Sequence, residues 1–80
     1  MTVTVLLFAS YAESLGVRSV SVELAPGATA GDALRHVLSL PGADRLPQEP
    51  LLAVNERYAK THHILAPGDE VAIIPPVAGG

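Results

Sequence analysis

The chain has 80 residues, which is enough for one domain near the lower size limit for a self-sufficient core. Apolar residues make up 49% of it and charged residues 16%, against roughly 25% charged residues in an ordinary soluble domain. This balance predicts an exposed apolar patch of the kind that marks a partner site. The net charge of −3 argues against nucleic acid as a ligand. The absence of cysteine excludes a disulfide scaffold and a thiolate metal site.

The first 24 residues predict a strand, a short helix and a second strand. Residues 2–8 are β-branched or apolar on both faces, which predicts a central strand covered on both sides. No basic residue precedes this run and no run is long enough to cross a bilayer, so we expect a cytoplasmic protein without a signal peptide or membrane span. Residues 9–15 have helical composition, and Gly16 suits the left-handed position after a helix. Residues 19–24 alternate, which predicts a half-buried antiparallel neighbour of the first strand.

The clearest helix is predicted over about residues 29–40. Thr29 can cap its start, and Asp32 stands three residues later at the spacing of a capping box. Pro41 and Gly42 are expected to end it. Its apolar residues fall on one stripe at helical spacing: Ala30, Ala33, Leu34, Val37 and Leu38.

The remaining residues predict three short strands. Residues 43–50 contain two prolines and are predicted to be a loop, followed by a strand over residues 51–54. Asn55 and Glu56 then suit the turn of a tight hairpin that continues through Tyr58. The last strand is expected over residues 70–74, after a Pro-Gly-Asp turn.

The element order β-α-β-α-β-β-β, with one substantial helix, predicts an α+β protein of the β-grasp or ubiquitin-like type. We expect a mixed sheet of four or five strands, one main helix at about 29–40 and a short helix at about 9–15. The first and last strands should lie side by side at the centre and run parallel. Residues 1–74 would form the β-grasp domain and residues 75–80 an extended functional tail.

No side-chain constellation in the sequence predicts a catalytic or metal site. His62 and His63 are adjacent, so on an extended segment they point in opposite directions. His36 stands one residue away from the apolar stripe of the main helix. Since metal sites usually need three or four converging ligands, we expect no metal and interpret these histidines as solvated.

The most informative segment is the ending Pro75, Pro76, Val77, Ala78, Gly79 and Gly80. Proline fixes φ and removes a backbone donor, so Pro75 and Pro76 end sheet pairing and hold an extended exit from the fold. Glycines give the thinnest possible peptide. At about 3.3 Å per residue, six residues reach roughly 20 Å. The tail is therefore predicted to enter a narrow channel in another protein and present the Gly80 carboxylate there.

Three segments carry a resemblance to a known family. The chain resembles the small subunit of molybdopterin synthase, the sulfur carrier of molybdenum cofactor biosynthesis, in Leu-Ala-Val-Asn at 52–55, Leu-Ala-Pro-Gly-Asp-Glu-Val-Ala at 65–72 and Pro-Pro-Val-Ala-Gly-Gly at 75–80. The opening residues 5–9 and the helix start at Thr29 also fit. The Gly-Asp-Glu turn occurs in many β-grasp proteins, and the Pro-Pro-Val-Ala-Gly-Gly ending is more specific.

This resemblance implies a sulfur-transfer cycle in which the chain supplies no catalytic side chain and binds no cofactor itself. An E1-like adenylating enzyme would use ATP to activate the Gly80 carboxylate, and a sulfur donor such as a cysteine desulfurase or rhodanese-like protein would convert it to a thiocarboxylate. The tail from Pro75 to Gly79 would then enter the large subunit. There the sulfur would pass to cyclic pyranopterin monophosphate and build the molybdopterin dithiolene, within a heterotetramer of two small and two large subunits.

The resemblance also implies a partner-binding patch at Phe8, Tyr58 and Ile74. Tyr58 and Ile74 stand where leucine and phenylalanine are commoner in the family, and they keep the apolar character. For Phe8 and Ile74 the alternative is an ordinary position in the core. Tyr58, with its polar tip, is expected to be at least partly exposed.

Three other functions remain open. A related carrier for thiamine or cysteine biosynthesis and a ubiquitin-like modifier conjugated to lysines would both also be adenylated at Gly80, so only the acceptor separates them from the leading interpretation. The third alternative is a plain interaction module with an inert tail.

Overall fold

Five strands form one mixed sheet. The computed structural model describes residues 1–75. The strands are β1 (Thr2–Leu7), β2 (Ser19–Glu23), β3 (Leu51–Val54), β4 (Arg57–Ala59) and β5 (Glu70–Ile74). They lie in the order β2-β1-β5-β3-β4, with β1 and β5 parallel and the other pairs antiparallel. The predicted β-grasp arrangement, with the first and last strands parallel at the centre, is confirmed.

Two α-helices accompany the sheet, α1 (Ala9–Leu15) and α2 (Ala30–Leu38). The capping box of α2 is formed as predicted: Asp32 N–H donates to Thr29 Oγ1 over 3.2 Å, and Thr29 N–H donates to Asp32 Oδ2 over 2.8 Å. The helix ends at Leu38, two residues earlier than expected. The chain tightens there, because Leu40 N–H donates to the Val37 carbonyl in a three-residue step.

The core lies between α2 and one face of the sheet. The apolar stripe of α2 is buried as predicted, except that Leu38 is half-buried. Alternation along the two central strands turns every second side chain toward this helix. The largest fully buried side chains are Val3, Val5, Val22, Val37, Val71 and Ile73.

The segment after α2 differs from its prediction as a loop over 43–50. A short 3₁₀ helix (Ala43–Arg45) forms there, and Ala43 and Leu46 are buried. The Ser14 hydroxyl donates to the Gly42 carbonyl, which fastens α1 to the start of this helix. Two buried apolar side chains give the segment a reason to adopt one conformation, and a single turn is too short to show as periodicity.

The expectation that β1 is covered on both faces is wrong. Leu6 is only half-buried, and Phe8, directly after β1, is 46% exposed. Within residues 1–75 both helices leave this second face of the sheet open. The buried side chains of α2, and Tyr11 of α1, pack into the core on the opposite face.

The exit from β5 is the last part of the fold that the structure describes. Pro75 is half-buried, and the predicted tail residues Pro76, Val77, Ala78, Gly79 and Gly80 lie outside the described residues. Neither α1 nor α2, the α-helices found in residues 1–75, is long and apolar enough to cross a membrane.

Candidate functional site: an apolar groove on the open face of the sheet

The strand register builds one row of four side chains across the open face. Leu6 on β1 lies opposite Ala72 on β5, Ala72 lies opposite Ala53 on β3, and Ala53 lies opposite Tyr58 on β4. Two methyl side chains therefore form a low floor between a leucine and a tyrosine. At about 4.8 Å between neighbouring strands, the row is about 14 Å wide.

This row lies in a cavity of about 340 Å³, which we call the open-face groove. Its apolar lining consists of Leu6, Phe8, Ala53, Tyr58, Ala72 and Ile74. Tyr58 is 77% exposed, Phe8 is 46% exposed, and Ile74 is half-buried. An apolar concavity of this kind on an exposed sheet face is typical of a protein-docking surface.

The three side chains predicted for the partner-binding patch therefore lie together in one groove. Sequence reasoning missed Leu6, Ala53 and Ala72, which form half of its apolar lining. Alternation along β1 and β5 places Leu6 and Ala72 on the face opposite the core, and this signal was present in the sequence. Predicting that Ala53 lines the groove would require the β3–β5 register, which depends on residues far apart in the chain.

A two-residue turn aims Tyr58 at the groove. Asn55 and Glu56 have φ of 50° and 71°, both in the left-handed region that a tight hairpin turn requires. This turn sets the register that places Tyr58 opposite Ala53. The predicted hairpin is thus confirmed, with a non-glycine residue at both central positions.

Hydrogen bonds fasten the hairpin tip to the start of β5. Asn55 Nδ2 donates to Asp69 Oδ1 over 2.9 Å, and Glu70 N–H donates to Asn55 Oδ1 over 3.0 Å. Asp69 Oδ2 also accepts from the Ala66 N–H over 2.8 Å. The Ala66 N–H, followed by the Asn55 amide, holds the pKa of the Asp69 carboxyl below its ordinary value.

One end of the open-face groove is acidic. Glu56 and Glu70 line it, and both are exposed. Arg57 lies between Glu56 and Tyr58 in sequence, but it pairs with Val54, whose side chain is buried on the core side. Alternation therefore directs Arg57 away from the groove.

The other end of the groove lies where β5 leaves the sheet. Ile74 pairs with Leu51 of β3 and follows Ile73, which pairs with Leu7 of β1. The segment that leads to Pro75 is thus held between two neighbouring strands and starts beside Phe8. Any group carried on residues after Pro75 starts from a fixed point at this end of the groove.

The loop that holds His62 and His63 binds the start of α2 through its backbone carbonyls. The carbonyl of His63 accepts from Ala30 N–H over 2.9 Å, and the carbonyl of Thr61 accepts from Gly31 N–H over 2.8 Å. Both donors belong to the first turn of α2, where no intrahelical partner exists. Among residues 1–75, no three His, Asp or Glu side chains gather closely enough to hold a metal ion.

Similarity to known proteins covers the whole chain. The model of the ThiS family matches residues 5–80. The molybdopterin synthase sulfur carrier subunits of Chlamydomonas reinhardtii and Arabidopsis thaliana are each 37% identical; the alignments cover 100% and 98% of this chain and 100% and 82% of those proteins. The crystal structure of the small archaeal modifier protein 1 of H. volcanii is 33% identical with a TM-score of 0.83, over 95% of this chain and 98% of that one. The chain therefore belongs to the ThiS family.

Proposed function

We propose that this protein is the sulfur carrier of molybdopterin synthase. Its β-grasp domain, residues 1–74, acts as a handle, and residues 75–80 carry the reactive group, the main-chain carboxylate of Gly80. The observation that carries the proposal is full-length similarity to proteins named molybdopterin synthase sulfur carrier subunits, in a family match that runs through the Gly-Gly ending.

The chemistry of the cycle follows from the weakness of a carboxylate as an electrophile. An E1-like adenylating enzyme joins the Gly80 carboxylate to AMP and releases pyrophosphate from ATP, which supplies a good leaving group. The persulfide of a sulfur donor, of the cysteine desulfurase or rhodanese type, then displaces AMP and forms an acyl disulfide. A second thiol cleaves its S–S bond, is itself oxidised to a disulfide, and leaves the thiocarboxylate. The soft sulfur of this anion attacks cyclic pyranopterin monophosphate in the large subunit and forms a thioester between carrier and pterin. Hydrolysis of that thioester leaves the sulfur on the pterin and returns the Gly80 carboxylate.

The described residues support the docking part of this proposal. The carrier contributes the reactive carboxylate and a docking surface, and the catalytic side chains belong to its partners. The open-face groove offers those cytoplasmic partners an apolar surface directly beside the point where β5 leads to Pro75. A dithiolene needs two sulfurs and each carrier brings one, so discharged carrier must leave, which favours an interface that dissociates.

Intact-mass analysis of the protein from its native cells tests this proposal. We expect a species in which one oxygen is replaced by sulfur, with the change localised to Gly80 by fragmentation. A variant with one alanine added after Gly80 should fold normally and carry no sulfur. Finding the sulfur-containing species nowhere in cells that make molybdopterin would contradict the proposal.

A second candidate is a protein modifier, because the small archaeal modifier protein 1 of H. volcanii shares the fold and 33% of its residues with this chain. Both functions begin with adenylation of Gly80, and the acceptor separates them. A modifier would leave Gly-Gly remnants on lysines of other proteins after protease digestion. A dedicated sulfur carrier would leave only the free thiocarboxylate.

A further inference from the structure

We infer that the acidic end of the open-face groove orients the partner, and that the partner surface docking there is an apolar ridge with lysine or arginine at one end. This inference rests on the proposed function, since it takes the large subunit of molybdopterin synthase as that partner. In this inference, Glu56 and Glu70 determine the orientation in which the partner docks.

Charge is distributed unevenly along the groove. Glu56 and Glu70 stand together at one end, because Asn55 N–H donates to the Glu70 carbonyl over 2.8 Å. Within residues 1–75, the groove lining contains these two carboxylates and no basic side chain. Arg18 lies near the opposite end, in a neighbouring depression that it shares with Leu6 and Phe8.

Within residues 1–75, no side-chain ion pair neutralises the two groove carboxylates, Glu56 and Glu70. The cation nearest to Glu56 in sequence, Arg57, lies on the other face of the strand. Their charges are therefore available to a partner. Beside an apolar floor that excludes water once a partner docks, such charges act over a longer range than at an open surface.

The carboxylates and the exit of the chain lie at opposite ends of the groove. β5 runs from Glu70 at the acidic end to Ile74 at the exit end. At about 3.3 Å per residue, these ends are about 13 Å apart. An apolar trough alone fits a ridge in either direction, and the reversed orientation would displace residues after Pro75 by that distance. A charge at one end removes this ambiguity, because the wrong orientation leaves the carboxylates unpaired.

The partner surface can therefore be described chemically. Its apolar ridge must be narrow enough to lie between Leu6 and Tyr58 over the alanine floor. Its basic residue must lie about 13 Å from the mouth of the channel that receives the chain end, given the rise per residue of a strand. Electrostatic pairing of this kind changes the association rate more than the dissociation rate.

The test compares two charge-matched double variants of the full chain. One is Glu56→Gln with Glu70→Gln; the control is Glu13→Gln with Glu49→Gln, which removes the same charge from exposed positions outside the groove. Circular dichroism establishes that both fold. Association with the large subunit is followed by stopped-flow fluorescence at about 0.01 M and about 1 M ionic strength.

We expect the groove variant to associate at least about fivefold more slowly at low ionic strength, with little difference at high ionic strength, and the control to change by less than about twofold. Equal rates for the two variants, with sulfur transfer intact, would overturn the inference alone. If the wild-type protein bound the large subunit but transferred no sulfur to the pterin, the proposed function would be overturned. The association rates of the two variants would still decide the inference. No binding by the wild-type protein would overturn both.

Discussion

Asn55 and Asp69 are joined by a hydrogen bond of 2.9 Å from Nδ2 to Oδ1, which ties the tip of the β3–β4 hairpin to the turn before β5. The contact spans 14 residues of sequence. It fixes two structures that meet in the open-face groove: the turn that aims Tyr58 and the strand that carries Ala72 and Ile74. The geometry of the groove thus depends on a polar contact outside it.

Replacing Asn55 should destabilise the fold through two effects, the loss of side-chain hydrogen bonds and backbone strain, which two variants separate. Asn55→Gly removes the side-chain hydrogen bonds but suits the φ of 50°, and should lower the free energy of unfolding by about 1–2 kcal/mol. Asn55→Ala also places an alanine in the left-handed region, which costs roughly a further 1 kcal/mol. Urea unfolding measures both. Equal stability of the alanine variant and the wild type would show that the contact contributes nothing.

Acid should weaken the fold through the same carboxylate. The Ala66 N–H and the Asn55 amide lower the pKa of Asp69, and the Thr29 N–H lowers the pKa of Asp32. A carboxyl whose pKa is lower in the folded state stabilises the fold above its ordinary pKa and loses that contribution as pH falls through the folded value.

We therefore expect the free energy of unfolding to fall progressively below the ordinary pKa of 3.8 for these groups. Asp69→Asn and Asp32→Asn should each reduce the slope, because they remove a group that binds a proton on unfolding. Urea titrations between about pH 6 and about pH 3 measure this. A slope that is unchanged in both variants would contradict the assignment.

The sequence predicted the local parts of the fold well because each depends on neighbours in the chain. Alternation at residues 19–24, the stripe on α2 and the Thr29–Asp32 spacing are all read within a few residues. The second face of β1 was misjudged for a different reason. The pattern showed that Leu6 and Phe8 are apolar, and it could not show whether another element covers them.

The candidate site was predicted only in part for the same physical reason. Phe8, Tyr58 and Ile74 came from the family resemblance, and the structure brings them together. Ala53 joins the alanine floor only through the register of strands that are distant in sequence. Alternation places Ala72 on this face, but a side chain so small carries no hydrophobic signal strong enough to mark it. The 3₁₀ helix at Ala43–Arg45 was missed because one turn shows no period.

Gly42 should tolerate no side chain, whereas Gly68 should tolerate one with modest loss. Both have positive φ, 91° and 82°. A Cβ on Gly42 would lie 2.5 Å from the Ser14 carbonyl oxygen, whereas a Cβ on Gly68 would meet nothing within 4 Å. Gly68→Ala should cost about 1–2 kcal/mol of unfolding free energy through φ alone, and Gly42→Ala about 2–4 kcal/mol through φ and the clash. Thermal and urea unfolding measure the loss of stability in each variant. Equal losses would show that α1 moves away from the added Cβ at position 42 at no cost in free energy.

Filling the floor of the groove should block docking without unfolding the protein. Ala72 is half-buried on the open face, away from the core, so Ala72→Leu should change stability by less than about 1 kcal/mol. The larger side chain would occupy the space between Leu6 and Ala53. Affinity for the large subunit, measured by calorimetry, should fall at least about tenfold, which corresponds to about 1.4 kcal/mol. Ala66→Leu, at an exposed position outside the groove, is the control and should bind as the wild type does.

Phe8 separates docking from folding most directly, because Val17 offers a control with the same exposure. Both side chains are 46% exposed, but only Phe8 lines the open-face groove. Phe8→Asp and Val17→Asp should both keep the wild-type circular dichroism spectrum. The Phe8 variant alone should lose affinity for the large subunit, by at least about tenfold, because the aspartate would put an unpaired charge into an apolar contact. If Phe8→Asp unfolded the protein, Phe8 would be a core residue; if both variants bound equally well, the groove would not be the docking surface.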